Sequence, residues 1–369
     1  MLLKGKISYY RRVSPPFQPD KLILDCCQYT TENCRVEDFF LKFPYFGKNI
    51  FTELLSRTSI FYHISRYRQP NCHCRSYHSL LREAANFIDK DHEIPMTAPP
   101  HASPLIDTHC HLDMSQYDGE LEDIINRANT GNVAGIVSIG IDVSSSLANI
   151  TIARRFSCVK ATVGIHPHDA DKVTDRELAD LIELARAHQD EVVAVGEIGL
   201  DYFKAYSKPE IQRDVFRKQL RIAKQLDLPV VIHDRDAHQD CFTIVKEEGP
   251  FPRGGIMHCF TGALHWARRF IDENFALSVG GITTFPNAKT VREIATHIPL
   301  QSLLLETDGP FLAPVPYRGK RNEPAYLVEI AALVAKLRNI SIATLAHATT
   351  RNAQRIFNCR FTAPSEETS

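Results

Sequence analysis

Pro104-Leu105-Ile106-Asp107-Thr108-His109-Cys110-His111 joins a short apolar run to two histidines. The run has the length and composition of a buried strand, with polar residues at its end. Side chains on a strand alternate between faces. His109 and His111 therefore share one face, and Cys110 takes the other. Two imidazoles on one face at a strand end form a natural pair of metal ligands. A His-x-His alone is more often structural, so its weight depends on the rest of the chain.

The rest of the chain repeats one alternation. Apolar, β-branched runs occupy 105–109, 133–140, 159–165, 192–197, 229–233, 255–259, 275–280 and 302–307. Polar segments and helical patterns follow them, as at 209–226, 323–338 and 342–357. Eight strands with intervening helices over about 250 residues match an α/β fold, the (β/α)8 TIM barrel. An open doubly wound sheet is the alternative, but its first strand usually leads into a glycine-rich phosphate loop. Here histidines stand in that place. A barrel builds its active site at the C-terminal ends of its strands and in the loops after them.

Ligand-type residues recur at those ends. They are His109 and His111, His166 and His168, Glu197, His233, His258, and Glu306 with Asp308. Buried imidazoles and carboxylates are costly unless something pairs them, and metal ions would pair them together. His109, His111, His233 and His258, with Glu197 and Asp308, supply six ligand side chains, a count that suits two ions. Glu197, on the middle strand, has two oxygens with which to bridge them. Mixed N/O donors suit Zn, Mn, Fe, Co or Ni, with Mg able to enter the more oxygen-rich site. Two divalent cations against two carboxylates leave an excess of about two positive charges, which attracts an anionic substrate. Cys110 and Cys259 sit beside ligand histidines, and strand alternation turns both away from the metal.

The whole chain of 369 residues carries a net charge of only −1, which argues against a strongly basic nucleic-acid coat. No apolar run is long enough to span a membrane. The ten cysteines form no regular framework and read as reduced thiols, so the expected compartment is the cytoplasm. A monomer is the default expectation.

Residues 1–100 differ in character, being rich in Tyr and Phe with only two glycines. They are expected to be a weakly ordered extension of unknown role, the barrel to occupy 101–360, and 361–369 to form a tail. A helix over 76–90 fits the spacing of Leu80, Leu81, Ala84, Ala85 and Phe87. Cys72-His73-Cys74 with His78 lacks the second pair that a zinc site needs. Arg11 and Arg12 in an acid-free stretch hint faintly at organelle targeting, which the following acids undercut. Met96-Thr97-Ala98-Pro99-Pro100 leads directly into the first strand, and translation is expected to begin at Met96.

The ordered set of motifs resembles one family. It comprises Asp107-Thr108-His109-Cys110-His111-Leu112-Asp113, Gly164-Ile165-His166-Pro167-His168, and Gly196-Glu197-Ile198-Gly199-Leu200-Asp201-Tyr202. Val231-Ile232-His233-Asp234-Arg235, His258-Cys259-Phe260-Thr261-Gly262 and Glu306-Thr307-Asp308-Gly309-Pro310 follow, then Arg318-Gly319-Lys320-Arg321-Asn322-Glu323-Pro324. Together they resemble the TatD family of metal-dependent deoxyribonucleases, among the amidohydrolase-type barrels, from about 104 to 358. The resemblance implies one metal site of His109, His111, Glu197 and Asp308. It implies a second that shares Glu197 and adds His233 and His258. Thr261, where many relatives carry Ser, keeps the hydroxyl. The implied activity is metal-dependent hydrolysis of DNA, often by removal of nucleotides from a 3′ end.

The expected reaction is phosphodiester hydrolysis by a metal-activated hydroxide, with Glu197 and Asp308 as the catalytic carboxylates. Asp308 would orient or deprotonate the water, and Glu197 would hold the ion pair together. Arg318, Lys320 and Arg321 lie just past the last strand, where barrels commonly bind phosphate. Arg235 offers a two-pronged guanidinium for the same purpose. His166 and His168 are placed to touch substrate or to support the ligands. Tyr202 and Phe260 are candidates for base stacking, with core packing an equal reading. The competing functions are an amide, lactone or other ester hydrolase on the same dinuclear scaffold, and a non-catalytic metal-binding protein.

Overall fold

The computed structural model describes residues 103–361. The expected weak order of the extension, the helix over 76–90, the Cys72-His73-Cys74 cluster, the start at Met96 and the tail past Phe361 lie outside the described residues.

Eight strands lie in chain order around one parallel sheet. They are β1 (Leu105–Cys110), β2 (Val133–Ser138), β3 (Val159–Val163), β4 (Val192–Asp201), β5 (Val230–Arg235), β6 (Gly255–Met257), β7 (Phe275–Val279) and β8 (Leu303–Leu305). One helix separates each successive pair: α1 (Leu121–Thr130), α2 (Val143–Arg155), α3 (Asp175–Ala187), α4 (Pro209–Leu226), α5 (His238–Glu248), α6 (Leu264–Asp272) and α7 (Lys289–His297). Two more, α8 (Leu327–Arg338) and α9 (Ile342–Phe357), follow β8. β8 returns beside β1 through a parallel bridge between Cys110 and Gly309. This is the expected (β/α)8 barrel.

Local chemistry sets the helix ends. Asp142 and Ser145 form a reciprocal capping box on α2, and Thr174 with Glu177 does the same on α3. Pro209 opens α4, where a missing N–H costs nothing, and Val215, Phe216, Leu220 and Ala223 give it a buried stripe.

The apolar core has two layers. One lies between the sheet and the helices and holds, among others, Ile136, Val163, Phe216 and Phe270. The other fills the barrel, where Ile106, Val137, Val193, Val231, Ile256, Ala276 and Leu304 meet Ala353, Ile356 and Phe357 of α9 and the ring of Phe361. The Asn352 amide donates to the carbonyls of Leu300 and Leu303, and the Thr350 hydroxyl to that of Pro104. These bonds fix α9 across the N-terminal ends of β1 and β8. The barrel is therefore plugged at that end and open at the other. Gly135 makes the plug possible, since a Cβ there would lie 2.4 Å from the Phe361 ring.

Several element ends differ from expectation. β6 stops at Met257 and β8 at Leu305: the next amides, of His258 and Glu306, still bond the neighbouring strand, but those one residue further on serve side chains. The Cys259 N–H donates to Glu306 and the Thr307 N–H to Asp107. Cys259 therefore lies beyond the strand, with a left-handed φ of 42°, and strand alternation does not govern it. α8 begins at Leu327 because a short 3-10 turn, Pro324–Tyr326, precedes it. β4 overruns its expected end and pairs with β5 as far as Asp201 opposite Arg235.

Candidate metal centre

The seam between β8 and β1 builds the first half of the site. The His111 N–H donates to the Gly309 carbonyl at 2.7 Å, and the Asp308 N–H to the His109 carbonyl at 2.9 Å. The buried Asp107 carboxylate accepts from the Thr307 N–H at 2.9 Å and its hydroxyl at 2.5 Å. It also accepts from the His109 N–H at 3.3 Å. Asp107 thus stitches the seam, and His109, His111 and Asp308 are held side by side.

Four donor atoms converge there. His109 Nε2 lies 3.3 Å from His111 Nε2, 3.4 Å from Glu197 Oε2 and 3.8 Å from Asp308 Oδ1. His111 Nε2 lies 3.9 Å from Glu197 Oε2 and 3.6 Å from Asp308 Oδ1. Two ligands on a tetrahedral ion at about 2.0–2.1 Å stand roughly 3.3–3.4 Å apart. His109, His111 and Glu197 thus form one group close enough to hold a divalent ion, with Asp308 Oδ1 beside its two imidazoles.

The other oxygen of Glu197 faces a second set. Glu197 Oε1 lies 2.7 Å from His233 Nδ1 and 3.7 Å from His258 Nε2. It is also 3.7 Å from His166 Nε2, so His166 stands as close to this oxygen as His258 does. The sequence motif alone did not distinguish His166 from a substrate contact. One carboxylate therefore presents one oxygen to each group of imidazoles.

Outer carboxylates hold the imidazoles. Glu306, wholly buried, accepts from His258 Nδ1 at 3.1 Å and from the Cys259 N–H at 2.7 Å. Asp201 lies 3.2 Å from His233 Nε2 and 2.8 Å from His168 Nε2. The Ile139 carbonyl lies 3.3 Å from His111 Nδ1. Such partners fix the orientation of ligand rings. His109 differs: its Nδ1 is buried with no hydrogen-bond partner, and its ring stacks on His258 at 3.4 Å. Asp107 and Asp201 had no assigned role in the sequence reading, and Glu306 stood there only among the ligand-type residues, outside the six taken as ligands. The available signal was an excess of acidic residues at strand ends over the two carboxylates counted as ligands.

The donor set fits divalent metal. The partners that pair with Glu197 are all imidazoles, which bring lone pairs rather than fixed cations. In the metal-free protein, protons on histidine balance the charge. Burial alone would lower His258, but Glu306 and Glu197 hold it up at about 10. Burial likewise opposes His233, while bonds to Asp201 and Glu197 hold it up at about 9. Burial would raise Glu197, yet the surrounding histidines, His258 and His109 foremost, keep it well below the ordinary carboxylate range.

A metal ion needs the neutral imidazole, so ion and proton compete. Both histidines lie above the ordinary value of about 6.5 and are protonated at neutral pH. Metal entry at pH 7 is expected to release protons, and metal affinity to rise with pH until these groups are neutral. Calorimetric Mn²⁺ titration in buffers of different ionisation enthalpy checks this. A binding heat independent of the buffer would contradict it.

The remaining expected residues fall into three groups. His168 joins the centre through Asp201, and the exposed Arg235 guanidinium lies 4.2 Å over the Phe203 ring. The loop after β8 is arranged differently. Arg321 forks onto Glu120 at 2.8 and 3.1 Å and reaches the Gln116 carbonyl at 2.6 Å. Arg318 lies 4.5 Å over the Phe285 ring, and Lys320 is exposed. Phe260 is buried in the core, and the Tyr202 hydroxyl donates to Asp240 at 2.7 Å.

Comparison with known proteins places this geometry in a family. The TatD related DNase family matches residues 106–358. The metal-dependent hydrolase YabD of Bacillus subtilis is 46% identical over 253 residues, covering 69% of this chain and 98% of that protein. The 3'-5' ssDNA/RNA exonuclease TatD of Citrobacter koseri is 34% identical, covering 70% of this chain and 100% of that protein. The crystal structure of the TatD homologue YjjV from Escherichia coli superimposes with a TM-score of 0.67 at 33% identity, covering 70% of this chain and 100% of its own. The chain belongs to the TatD related DNase family of metal-dependent hydrolases.

Proposed function

We propose that this protein is a dinuclear metal-dependent phosphodiesterase that removes nucleotides from the 3′ end of single-stranded DNA. The observation that carries the reading is the division of Glu197, with Oε2 facing His109 and His111 and Oε1 facing His233 and His258. His109, His111, Glu197 and Asp308 would hold one ion, and Glu197, His233 and His258 the other. When bound, divalent ions make water nucleophilic at neutral pH and offset charge on phosphate oxygens. The direction of attack is supported by the relative named a 3'-5' ssDNA/RNA exonuclease.

The chain's own residues divide the remaining work. Asp308 is the more open of the two central carboxylates, its side chain being 12% exposed against 4% for Glu197. It takes the proton of the attacking water, and Glu197 holds the two histidine groups at a fixed separation. Glu306 and Asp201 keep His258 and His233 aimed inward. Arg235, exposed at the last position of β5, and Lys320, exposed past the end of β8, receive the phosphate. That placement favours a phosphodiester over the amide or lactone alternative.

The test is hydrolysis of a 3′-labelled single-stranded oligonucleotide by the full chain, first stripped of metal and then given Mg²⁺, Mn²⁺, Zn²⁺ or Co²⁺. Activity is expected to vanish on stripping and to return as stepwise loss of 3′ nucleotides. Asp308→Asn is expected to lower kcat by roughly 10²–10³-fold with little change in fold. A wild-type protein that binds metal yet cleaves no phosphodiester would overturn the reading.

A further inference from the structure

Large apolar side chains on a surface need no explanation when they are scattered. Here they are not scattered. The large hydrophobics that stand exposed among the described residues are Leu147, Phe203, Tyr206, Phe311, Val315 and Ile342. Four of these six lie on the loops that follow β4 and β8. In a closed barrel of eight strands in order, β4 and β8 stand on opposite walls, so both sides of the open mouth carry exposed rings.

Two of the rings meet histidines of the centre, and the third lies under Arg235. Phe311 is 44% exposed and its ring meets His111 edge-on at 6.0 Å. Its N–H donates to the Asp308 carbonyl at 2.8 Å, and its carbonyl accepts from Asn322 at 2.6 Å. Tyr206 is 66% exposed and meets His168 edge-on at 4.7 Å. Phe203 is 58% exposed, with the Arg235 guanidinium 4.2 Å from its ring centre. The next two residues are pinned to Asp201: the Lys204 N–H donates to its carboxylate at 2.7 Å and the Ala205 N–H to its carbonyl at 3.2 Å. The rings are therefore not on slack loops. Their backbones are fastened to Asp308 and Asp201, residues of the centre itself. Holding aromatic surface in water beside a charged site is unfavourable unless a ligand covers it.

We infer that Phe203 and Tyr206 on one side, and Phe311 on the other, are stacking platforms for the bases that flank the bond to be cut, a physical basis for the single-strand preference already proposed. Every base has a π-face, so such platforms bind any sequence, whereas bases paired in a duplex are already stacked and withheld. Arg235, over Phe203, lies where it meets the phosphate of the nucleotide whose base stacks there. The inference rests on the phosphodiesterase reading for its reaction, but not for its binding.

The test compares two fluorescent single strands of equal length and charge, an oligothymidylate and an abasic counterpart. Binding to the metal-stripped full chain is read by anisotropy. The base-bearing strand is expected to bind about 5- to 100-fold more tightly. Phe203→Ala and Phe311→Ala are each expected to shrink that preference, and Phe203→Tyr and Phe311→Tyr to restore it. Equal binding of the two strands by wild type, or an undiminished preference in both alanine variants, would overturn the inference. A parallel cleavage assay with metal separates the two ideas. If wild type cuts neither strand, the phosphodiesterase reading fails and the binding ratios still judge the rings. If it cuts both equally well, with equal binding, the rings have no such role and the phosphodiesterase reading stands.

Discussion

Glu197→Gln is expected to lower kcat by more than about 10³-fold and to leave the barrel folded. The carboxylate is nearly buried, and each of its oxygens serves a different histidine group. Glutamine keeps the shape but owns one oxygen. Its NH2 must face one of the two groups, where it presents hydrogens to ligand nitrogens that need a metal. One ion site therefore loses its shared ligand whichever way the amide turns. In the metal-free state the neighbouring histidines can shed protons once the negative charge is gone, so the penalty of an unpaired buried charge is avoided. The checks are kcat, metal content by elemental analysis, and thermal melting without metal. The account requires a loss of bound metal together with activity, at a nearly unchanged melting temperature. Wild-type turnover in the purified variant would contradict it.

Gly199→Ala is expected to produce a large loss of stability. Gly199 lies within β4 at a φ of +138°, which L side chains rarely adopt. An added Cβ would stand 2.0 Å from the His233 carbonyl oxygen on the neighbouring strand. No side chain can rotate out of the way, because the obstacle is backbone. Relief requires β4 and β5 to part where Gly199 pairs with His233. The cost is expected to exceed about 3 kcal/mol, or roughly 10 °C in Tm for a domain of this size. Any folded fraction should also bind metal less tightly, since His233 is the residue displaced. Thermal melting and Mn²⁺ titration measure the two effects. A variant melting with wild type would show that this part of the strand pair is not as tightly closed as described.

The periodic parts of the chain were legible in advance. The strand count, the barrel and the bounds of α4 and α9 follow from hydrophobic spacing, because those elements bury one continuous face. The gathering of the candidate ligands was legible because histidines and carboxylates recur at strand ends, which a barrel brings together. What escaped was contact between residues distant in sequence. Asp107 meets Thr307 across 200 positions, and Glu306 meets His258 across 48. No local pattern distinguishes such a carboxylate from a ligand or a cap. The overrun of β4 was hidden for a related reason. Glycine at 199 reads as a strand terminator, whereas in the barrel it lets two backbones approach closely enough to align Asp201 with His233. Arg321 shows the opposite limit, since its position in a basic loop gave no hint that Glu120 engages it.

If two ions share Glu197, anomalous diffraction from crystals of the full chain grown with Mn²⁺ will locate both. Two peaks about 3.5–4 Å apart are expected, one beside His109 and His111 and the other beside His233 and His258, with the Glu197 carboxylate between them. A single peak, or two peaks with Glu197 bound to only one of them, would contradict that sharing.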